Sequence, residues 1–240
     1  IKEENINKPY FICLDEMNLA RVEYYFSDLL SILETRKINE NNKIETSYVI
    51  DKGYLENDED IKRYGNLTIP ENIYFIGTVN MDETTHPFSK KVLDRSNTIE
   101  FSKVELALLS YSYDSVNKII ANNNFLKSDY IHIKDTLIEY KEYVGGVINR
   151  LIEVNNCLEK VSLHVGYRVR DEIVMYTVYN NKYGILKEDE AFDLQLMQKI
   201  LPRIQGSTKS IYDLLIELFN ICWAGEIKDD DMDLSNRAIK

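Results

Sequence analysis

The feature that most constrains the fold is an apolar run that passes directly into two adjacent carboxylates. Phe11–Leu14 is apolar throughout, and Asp15 and Glu16 follow at once. Such a run is typical of a strand that is buried on both faces, as in a parallel sheet. A buried charge is costly unless it is paired or binds a metal. The acidic pair therefore lies at an exposed strand end or serves a function.

The first part of the chain alternates strand and helix patterns. The predicted strands and helices are, in chain order, Pro9–Leu14, Asn18–Glu34, Ile73–Val79, Pro87–Asp94 and Asn97–Phe101. Strands separated by helices are typical of an α/β fold with a parallel sheet between helices. The polar segment Lys37–Asn66 is predicted to project from this core as an insertion, with Thr46–Ile50 as one arm of a hairpin.

Beyond Phe101 the strand patterns stop and apolar residues recur only at helical spacing. The predicted helices are Lys103–Asn122, Tyr130–Tyr143, Val147–Glu159, Tyr167–Asn180, Asp189–Ile204 and Thr208–Trp223. We therefore predict an α/β part over residues 1–102 and an all-helical part over residues 103–227. A polar tail follows at residues 228–240.

Composition excludes several classes of protein. The 240 residues carry a net charge of −11, which disfavours broad contact between this chain and phosphate backbones. No apolar window is long enough to span a membrane, so no membrane association is expected. Cys13, Cys157 and Cys222 are odd in number and lack metal-binding or disulfide spacing, which favours a cytoplasmic location.

Polar residues end two of the predicted strands. Ligands of open parallel sheets bind beyond the carboxyl ends of the strands, where Asp15, Glu16 and Asn80 would fall. There Asp15 can orient a hydrated Mg²⁺, Glu16 can polarise an attacking water, and Asn80 can hold that water. These are the parts of nucleoside triphosphate hydrolysis. The alternative is a solvated acidic turn that caps the next helix.

Four stretches carry a family resemblance. They are "FICLDEMNLARVEYYFSDLLSILETR", "IYFIGTVNMDETTHPFSKKVLDRSNTIEF", "GYRVRDEI" and "LQLMQKILPRIQG". Together they resemble the McrB-type branch of the AAA+ ATPases, the nucleotide-driven subunit of modification-dependent restriction systems, which is related to dynein- and midasin-like modules. The resemblance implies the C-terminal part of an AAA+ module, in which a parallel-sheet P-loop NTPase core is followed by an all-helical lid.

The resemblance implies roles for residues of the α/β part. "FICLDE" is similar to a Walker B motif, with Asp15 orienting Mg²⁺ through water and Glu16 as the catalytic base. "GTVN" resembles sensor 1, with Asn80 positioning the attacking water. "KKVLDRSN" places Arg95 where AAA+ proteins carry an arginine finger for the neighbouring subunit. Taken alone, Arg95 can equally form a surface ion pair with Asp94.

The helical part carries a further motif of this family. "GYRV" resembles sensor 2, so Arg168 would contact the γ-phosphate in its own subunit, with Arg170 as the alternative. The adjacent Asp171 and Glu172 leave an ordinary solvated helix face as the other interpretation.

Two departures from the family pattern bear on activity. The McrB branch has "MNTADRS" where this chain has "VNMDETT", which leaves GTP or ATP open as the substrate. The phosphate-binding pattern GxxxxGK[ST] is absent from the sequence, which begins with Ile1. We therefore expect the phosphate-binding loop in an upstream part of a longer protein, and no hydrolysis by this chain alone.

The resemblance also implies partners. The complete protein would form a ring, as a hexamer, drive a nuclease subunit, and reach DNA through other domains. Two alternatives remain open from the residues. One is a dynein- or MoxR-like ATPase that remodels protein complexes, and the other is a non-catalytic assembly platform.

Overall fold

The computed structural model describes residues 5–40, 43–80, 85–101 and 120–222. The chain divides into two compact units, each described by itself below. The first comprises Ile1–Val92 with Ile99–Ile131, and the second comprises Leu93–Thr98 with His132–Lys240. The predicted helix Lys103–Asn122 lies largely outside the described residues, and the predicted tail 228–240 lies wholly outside them.

A two-stranded parallel sheet forms the centre of the first unit. Strand β1 (Tyr10–Leu14) pairs with β4 (Ile73–Gly77), with Tyr10 opposite Ile73 and Leu14 opposite Gly77. The predictions of both strands and of their parallel arrangement are confirmed. The chain is thus an α/β protein with a small parallel sheet and a majority of helices.

The prediction that these strands are buried is wrong for this chain. The exposed fractions are 56% for Phe11, 37% for Ile12 and 49% for Ile76. The reason is that the sheet has only two strands among the described residues, and β1 is largely uncovered there. Apolar side chains of a strand are buried only when a further layer packs on them.

The segment after β1 is helical but interrupted. A 3-10 turn (Met17–Leu19) is followed by α1 (Val22–Tyr25) and α2 (Ser27–Glu34). The prediction of one continuous helix is therefore wrong. Ala20 is extended (φ −121°, ψ 162°), and Phe26 (φ −112°, ψ −2°) separates α1 from α2. The Phe26 ring packs edge-on against Phe75 of β4, with centroids 5.9 Å apart.

The insertion contains a short hairpin and one helix. Strands β2 (Lys37–Ile38) and β3 (Ile44–Glu45) pair in antiparallel fashion, followed by a 3-10 turn (Lys52–Tyr54) and α3 (Asp58–Tyr64). The predicted hairpin arm Thr46–Ile50 is therefore wrong, because the arm ends at Glu45. Thr46 is instead buried (4% exposed), and its hydroxyl oxygen accepts a 3.0 Å hydrogen bond from the Ile69 amide.

The predicted helix Pro87–Asp94 is present in shorter form as α4 (Lys90–Leu93). The predicted strand Asn97–Phe101 is absent from the described residues. Its apolar residues Ile99 and Phe101 are 66% and 92% exposed. An isolated extended segment gains no ladder hydrogen bonds, which a strand requires.

Long helices make up the second unit. They are α6 (Ile133–Glu159), α7 (Tyr167–Tyr183), α8 (Glu188–Gln195) and α9 (Lys209–Cys222), while α5 (Asn123–Leu126) belongs to the first unit. Two helical stretches lie within 130–159, as predicted, but the break between them is a kink within α6 at Tyr140 (φ −120°, ψ 24°) rather than after Tyr143. The predicted helix Asp189–Ile204 is α8 continued by a π-helical segment, Leu196–Ile200, and a 3-10 turn, Leu201–Arg203.

The core of the second unit is apolar and tightly buried. Its most buried members are Val144, Val154, Leu158, Val169, Ile173, Val174, Val178, Ala191, Ile200 and Leu214. Within α7, the buried residues Val169, Ile173, Val174 and Val178 recur at helical spacing, which places them on one face. In the described ranges, no helix is long and apolar enough to cross a membrane.

Candidate functional site

The carboxyl ends of β1 and β4 meet at one edge of the sheet. Beyond the last paired residues, the Thr78 amide donates to the Leu14 carbonyl at 3.0 Å. The Met17 amide in turn donates to the Thr78 carbonyl at 3.0 Å. These two bonds bring the segment after β1 alongside the segment after β4. The acidic pair predicted to lie at this edge therefore does so.

The Thr78 hydroxyl joins the two acidic residues. It donates to Asp15 Oδ1 at 2.5 Å and accepts from the Glu16 amide at 2.9 Å. The sequence analysis did not single out Thr78. The available signal was its place in "GTVN", as the first polar side chain after β4. The hydroxyl uses one carboxylate oxygen of Asp15 and fixes the orientation of that side chain.

Glu16 has an unusual backbone conformation. Its φ of 48° and ψ of 45° lie in the left-handed region, which a non-glycine residue occupies at a cost of about 1–3 kcal/mol. The hydrogen bonds from the amides of Glu16 and Met17 to Thr78 hold the turn in this conformation. Such strain recurs at functional sites, where the surrounding structure over-determines the backbone. The Glu16 side chain is exposed at the sheet edge.

Asn80 is held at the same edge by a buried amide. The Asn18 side chain is 1% exposed, and its Nδ2 donates to the Asn80 carbonyl at 2.9 Å. The backbone carbonyl of Asn18 accepts a hydrogen bond from the His86 amide at 2.9 Å. The Thr85 hydroxyl donates to the backbone carbonyl of Asn80 at 2.8 Å. The structure therefore brings Asp15, Glu16 and Asn80 to one edge. Sequence reasoning missed Asn18, although an Asn between two apolar residues of "MNLA" was the visible signal.

The edge suits a hydrated Mg²⁺ better than a metal held by protein alone. Within the described ranges, no group of three or more His, Cys, Asp or Glu side chains is placed to hold a metal ion. Mg²⁺ keeps several waters and is commonly bound by one or two carboxylates together with substrate phosphates. The exposed carboxylates of Asp15 and Glu16 match this donor set.

The three candidate arginines lie in the second unit. Arg95 follows α4 and is half-buried, while Arg168 is exposed in the first turn of α7. Arg170 donates to Asp171 Oδ1 at 2.7 Å and stacks over the Tyr167 ring, 4.7 Å from its centroid. Arg168 is exposed and Arg170 is only partly exposed, so Arg168 is the more accessible of the two α7 arginines.

Asp94, the residue before Arg95, forms an ion pair with a residue that is distant in the sequence. Asp94 forms an ion pair with Arg203 of the 3-10 turn, and the Arg203 side chain is 4% exposed. The alternative interpretation paired Asp94 with its neighbour Arg95. Arg203 therefore engages the Asp94 carboxylate, and the pairing of Asp94 with Arg95 stays a prediction.

Comparisons with known proteins give two matches. Residues 110–240, more than half of the chain, match the family described as "Domain of unknown function (DUF8727)". A stretch of 104 residues is 29% identical to the "Type IV methyl-directed restriction enzyme EcoKMcrB subunit" of Escherichia coli (strain K12). That stretch is 43% of this chain and 19% of the relative, so the chain spans about a fifth of that protein. No solved structure gives a significant match.

Proposed function

We propose that this chain, which belongs to the family described as Domain of unknown function (DUF8727), is part of a McrB-related AAA+ nucleoside triphosphatase. The observation that carries the proposal is the in-register parallel pairing of β1 with β4. This pairing sets the acidic pair Asp15–Glu16 beside Thr78 and Asn80 at the carboxyl edge of the sheet. Ligands of open parallel sheets bind at this edge.

Each residue of the edge has a chemical task in this proposal. Asp15, oriented by the Thr78 hydroxyl, binds a water of the Mg²⁺ shell. When bound, Mg²⁺ neutralises charge on the β- and γ-phosphates. Glu16 accepts a proton from the attacking water, and the Asn80 amide holds that water in line with the γ-phosphate. The bond between Asn18 and the Asn80 carbonyl limits how far Asn80 can move.

The second unit supplies positive charge in the proposal. Arg95 acts as an arginine finger in the site of a neighbouring subunit, where it stabilises charge that develops in the transition state. Arg168, or Arg170 in its place, contacts the γ-phosphate of its own subunit. The working assembly is accordingly a ring, as a hexamer, in which each site lies between two subunits. In this proposal the first unit belongs to the later half of the core, and the second unit, which carries Arg95, belongs to the lid.

The exposure of the two strands favours a core to which other segments of the complete protein contribute. Phe11, Ile12 and Ile76 are exposed on a strand pair whose sequence is typical of a buried parallel sheet. In the proposal, further strands and the phosphate-binding loop of the complete protein cover them. The isolated chain is expected to bind nucleotide weakly and to hydrolyse none.

The biological setting rests on the relative. That protein is named as a subunit of a methyl-directed restriction enzyme. By extension, the complete protein here uses GTP or ATP hydrolysis to drive a nuclease subunit on modified DNA. The net charge of −11 favours DNA contact through other domains or the nuclease rather than through this chain.

The test of this proposal is the substitution Glu16→Gln in the full-length protein. The amide keeps the shape of the side chain but cannot accept the proton, so turnover should fall by at least about 10²-fold while nucleotide affinity is retained. Glu56→Gln, at an exposed residue of the insertion, is the matched control and should leave turnover unchanged. Turnover that survives Glu16→Gln would contradict the assigned base.

A further inference from the structure

A buried arginine of the second unit holds the residue directly before Arg95. Arg203 pairs with Asp94, and the two side chains are 4% and 28% exposed. Burial lowers the pKa of the Arg203 guanidinium, but an arginine stays charged in proteins. Its Nε has no hydrogen-bond partner among the described residues. A buried guanidinium is costly without a counter-charge, so Asp94 is held where Arg203 can reach it.

A second contact holds the other end of the same segment. The Thr98 amide donates to the Gln198 carbonyl at 3.3 Å. Gln198 lies in the π-helical segment Leu196–Ile200, which leads directly into the 3-10 turn of Arg203. π-Helical turns within α-helices occur frequently at functional sites. One stretch of the second unit therefore anchors Leu93–Thr98 at two points, and Leu93 itself is 5% exposed.

The segment that carries Arg95 is thereby part of the helical unit. Leu93–Thr98 groups with His132–Lys240, although the chain on either side of it belongs to the first unit. We infer that Arg203 is a positioning residue for Arg95. Through Asp94 it fixes the Arg95 segment to the helical unit, so Arg95 moves whenever that unit moves. The role of Arg95 in hydrolysis rests on the proposed function, whereas the anchoring does not.

The test compares two arginines of the second unit in the full-length protein. Arg203→Met removes the charge that holds Asp94. Arg150→Met is the matched control, because Arg150 also forms an ion pair, with Asp189 at 3.0 Å, but lies in α6 outside the stretch that anchors the Arg95 segment. Hydrogen exchange of residues 94–98 is measured by mass spectrometry, together with steady-state turnover of ATP and GTP.

The inference predicts a specific pattern. Exchange of residues 94–98 accelerates by about 10-fold or more in Arg203→Met and stays at the wild-type rate in Arg150→Met. Turnover in Arg203→Met falls through kcat, with KM unchanged, to the level of Arg95→Ala. The double variant of Arg95→Ala and Arg203→Met is no slower than Arg95→Ala alone, because both changes remove the same interaction.

Three outcomes decide the matter. Unchanged exchange at residues 94–98 in Arg203→Met, or equal acceleration in Arg150→Met, overturns the anchoring. An additive loss of turnover in the double variant overturns the positioning role. If the wild-type protein hydrolyses neither nucleotide, the proposed function fails, while exchange still decides the anchoring. Arg203→Lys keeps the positive charge and should show the wild-type exchange rate at residues 94–98. This variant keeps the inference testable if Arg203→Met does not fold.

Discussion

The Thr78 hydroxyl is the smallest group whose removal tests the arrangement of the sheet edge. Thr78→Val keeps the shape of the side chain and removes two hydrogen bonds, one from the Glu16 amide and one to Asp15 Oδ1. The first is a neutral bond of about 0.5–1.5 kcal/mol, and the second involves a charged acceptor worth about 1.5–3 kcal/mol. Because water can replace both at this exposed edge, the unfolding free energy should fall by about 1–2 kcal/mol.

The effect on turnover should be larger than this loss of stability. Without the hydroxyl, Asp15 and the left-handed Glu16 lose a shared anchor, and a displacement of about 1 Å can cost about 10²-fold in rate. Urea unfolding of this chain measures the stability, and steady-state hydrolysis by the full-length protein measures the rate.

Thr35→Val provides the matched control for this substitution. The Thr35 hydroxyl also makes two hydrogen bonds, to the Ile32 carbonyl and from the Ser47 amide, both at 2.6 Å, but it lies away from the edge. It should lower stability by about 1–2 kcal/mol as well and leave turnover unchanged. Equal turnover in the Thr78 and Thr35 variants would refute the reasoning about the edge.

Three further predictions concern buried groups. Burial lowers the pKa of Lys199 below its ordinary 10.5, so the unfolded chain binds more protons between the lowered pKa and 10.5. The difference in unfolding free energy between wild type and Lys199→Met should therefore rise with pH across that window. Urea titrations at several pH values measure this difference, and a difference that does not change with pH would contradict the prediction. Asn18→Leu should lower the unfolding free energy by less than about 1 kcal/mol, because the buried Oδ1 of Asn18 has no hydrogen-bond partner among the described residues. The same substitution should lower turnover, because it removes the hydrogen bond from Asn18 to the Asn80 carbonyl. Thiol labelling should modify the exposed Cys13 fast and Cys157 slowly, since Cys157 is buried and burial raises its pKa; equal rates would count against the burial.

The sequence was sufficient for the strands and helices whose patterns are local. The apolar runs Pro9–Leu14 and Ile73–Val79 predicted β1 and β4, and the polar residues after them marked the candidate site at the sheet edge. Helical spacing likewise predicted α7, which runs from Tyr167 to Tyr183. These features depend on residues within one or two turns of each other, so a single sequence contains them.

Features that depend on distant partners were not predicted. Asn97–Phe101 has a strand-like pattern, but a strand also needs a neighbour for its ladder hydrogen bonds. Burial of Phe11 was misjudged for a similar reason, because periodicity shows which face is apolar and not what covers it. The pairing of Asp94 with Arg203 joins residues far apart in the chain, and the nearer Arg95 was the obvious partner.

The most direct test of the central claim is nucleotide hydrolysis at the edge of the sheet. Steady-state hydrolysis of ATP and GTP by the full-length protein is measured side by side, with and without modified DNA, for wild type and Asp15→Asn. We predict Mg²⁺-dependent turnover of one nucleotide in wild type and loss of at least about 10²-fold in Asp15→Asn. Turnover of GTP would favour the restriction setting, and turnover of ATP a remodelling ATPase. Hydrolysis of neither nucleotide, or equal hydrolysis by Asp15→Asn, would contradict the account.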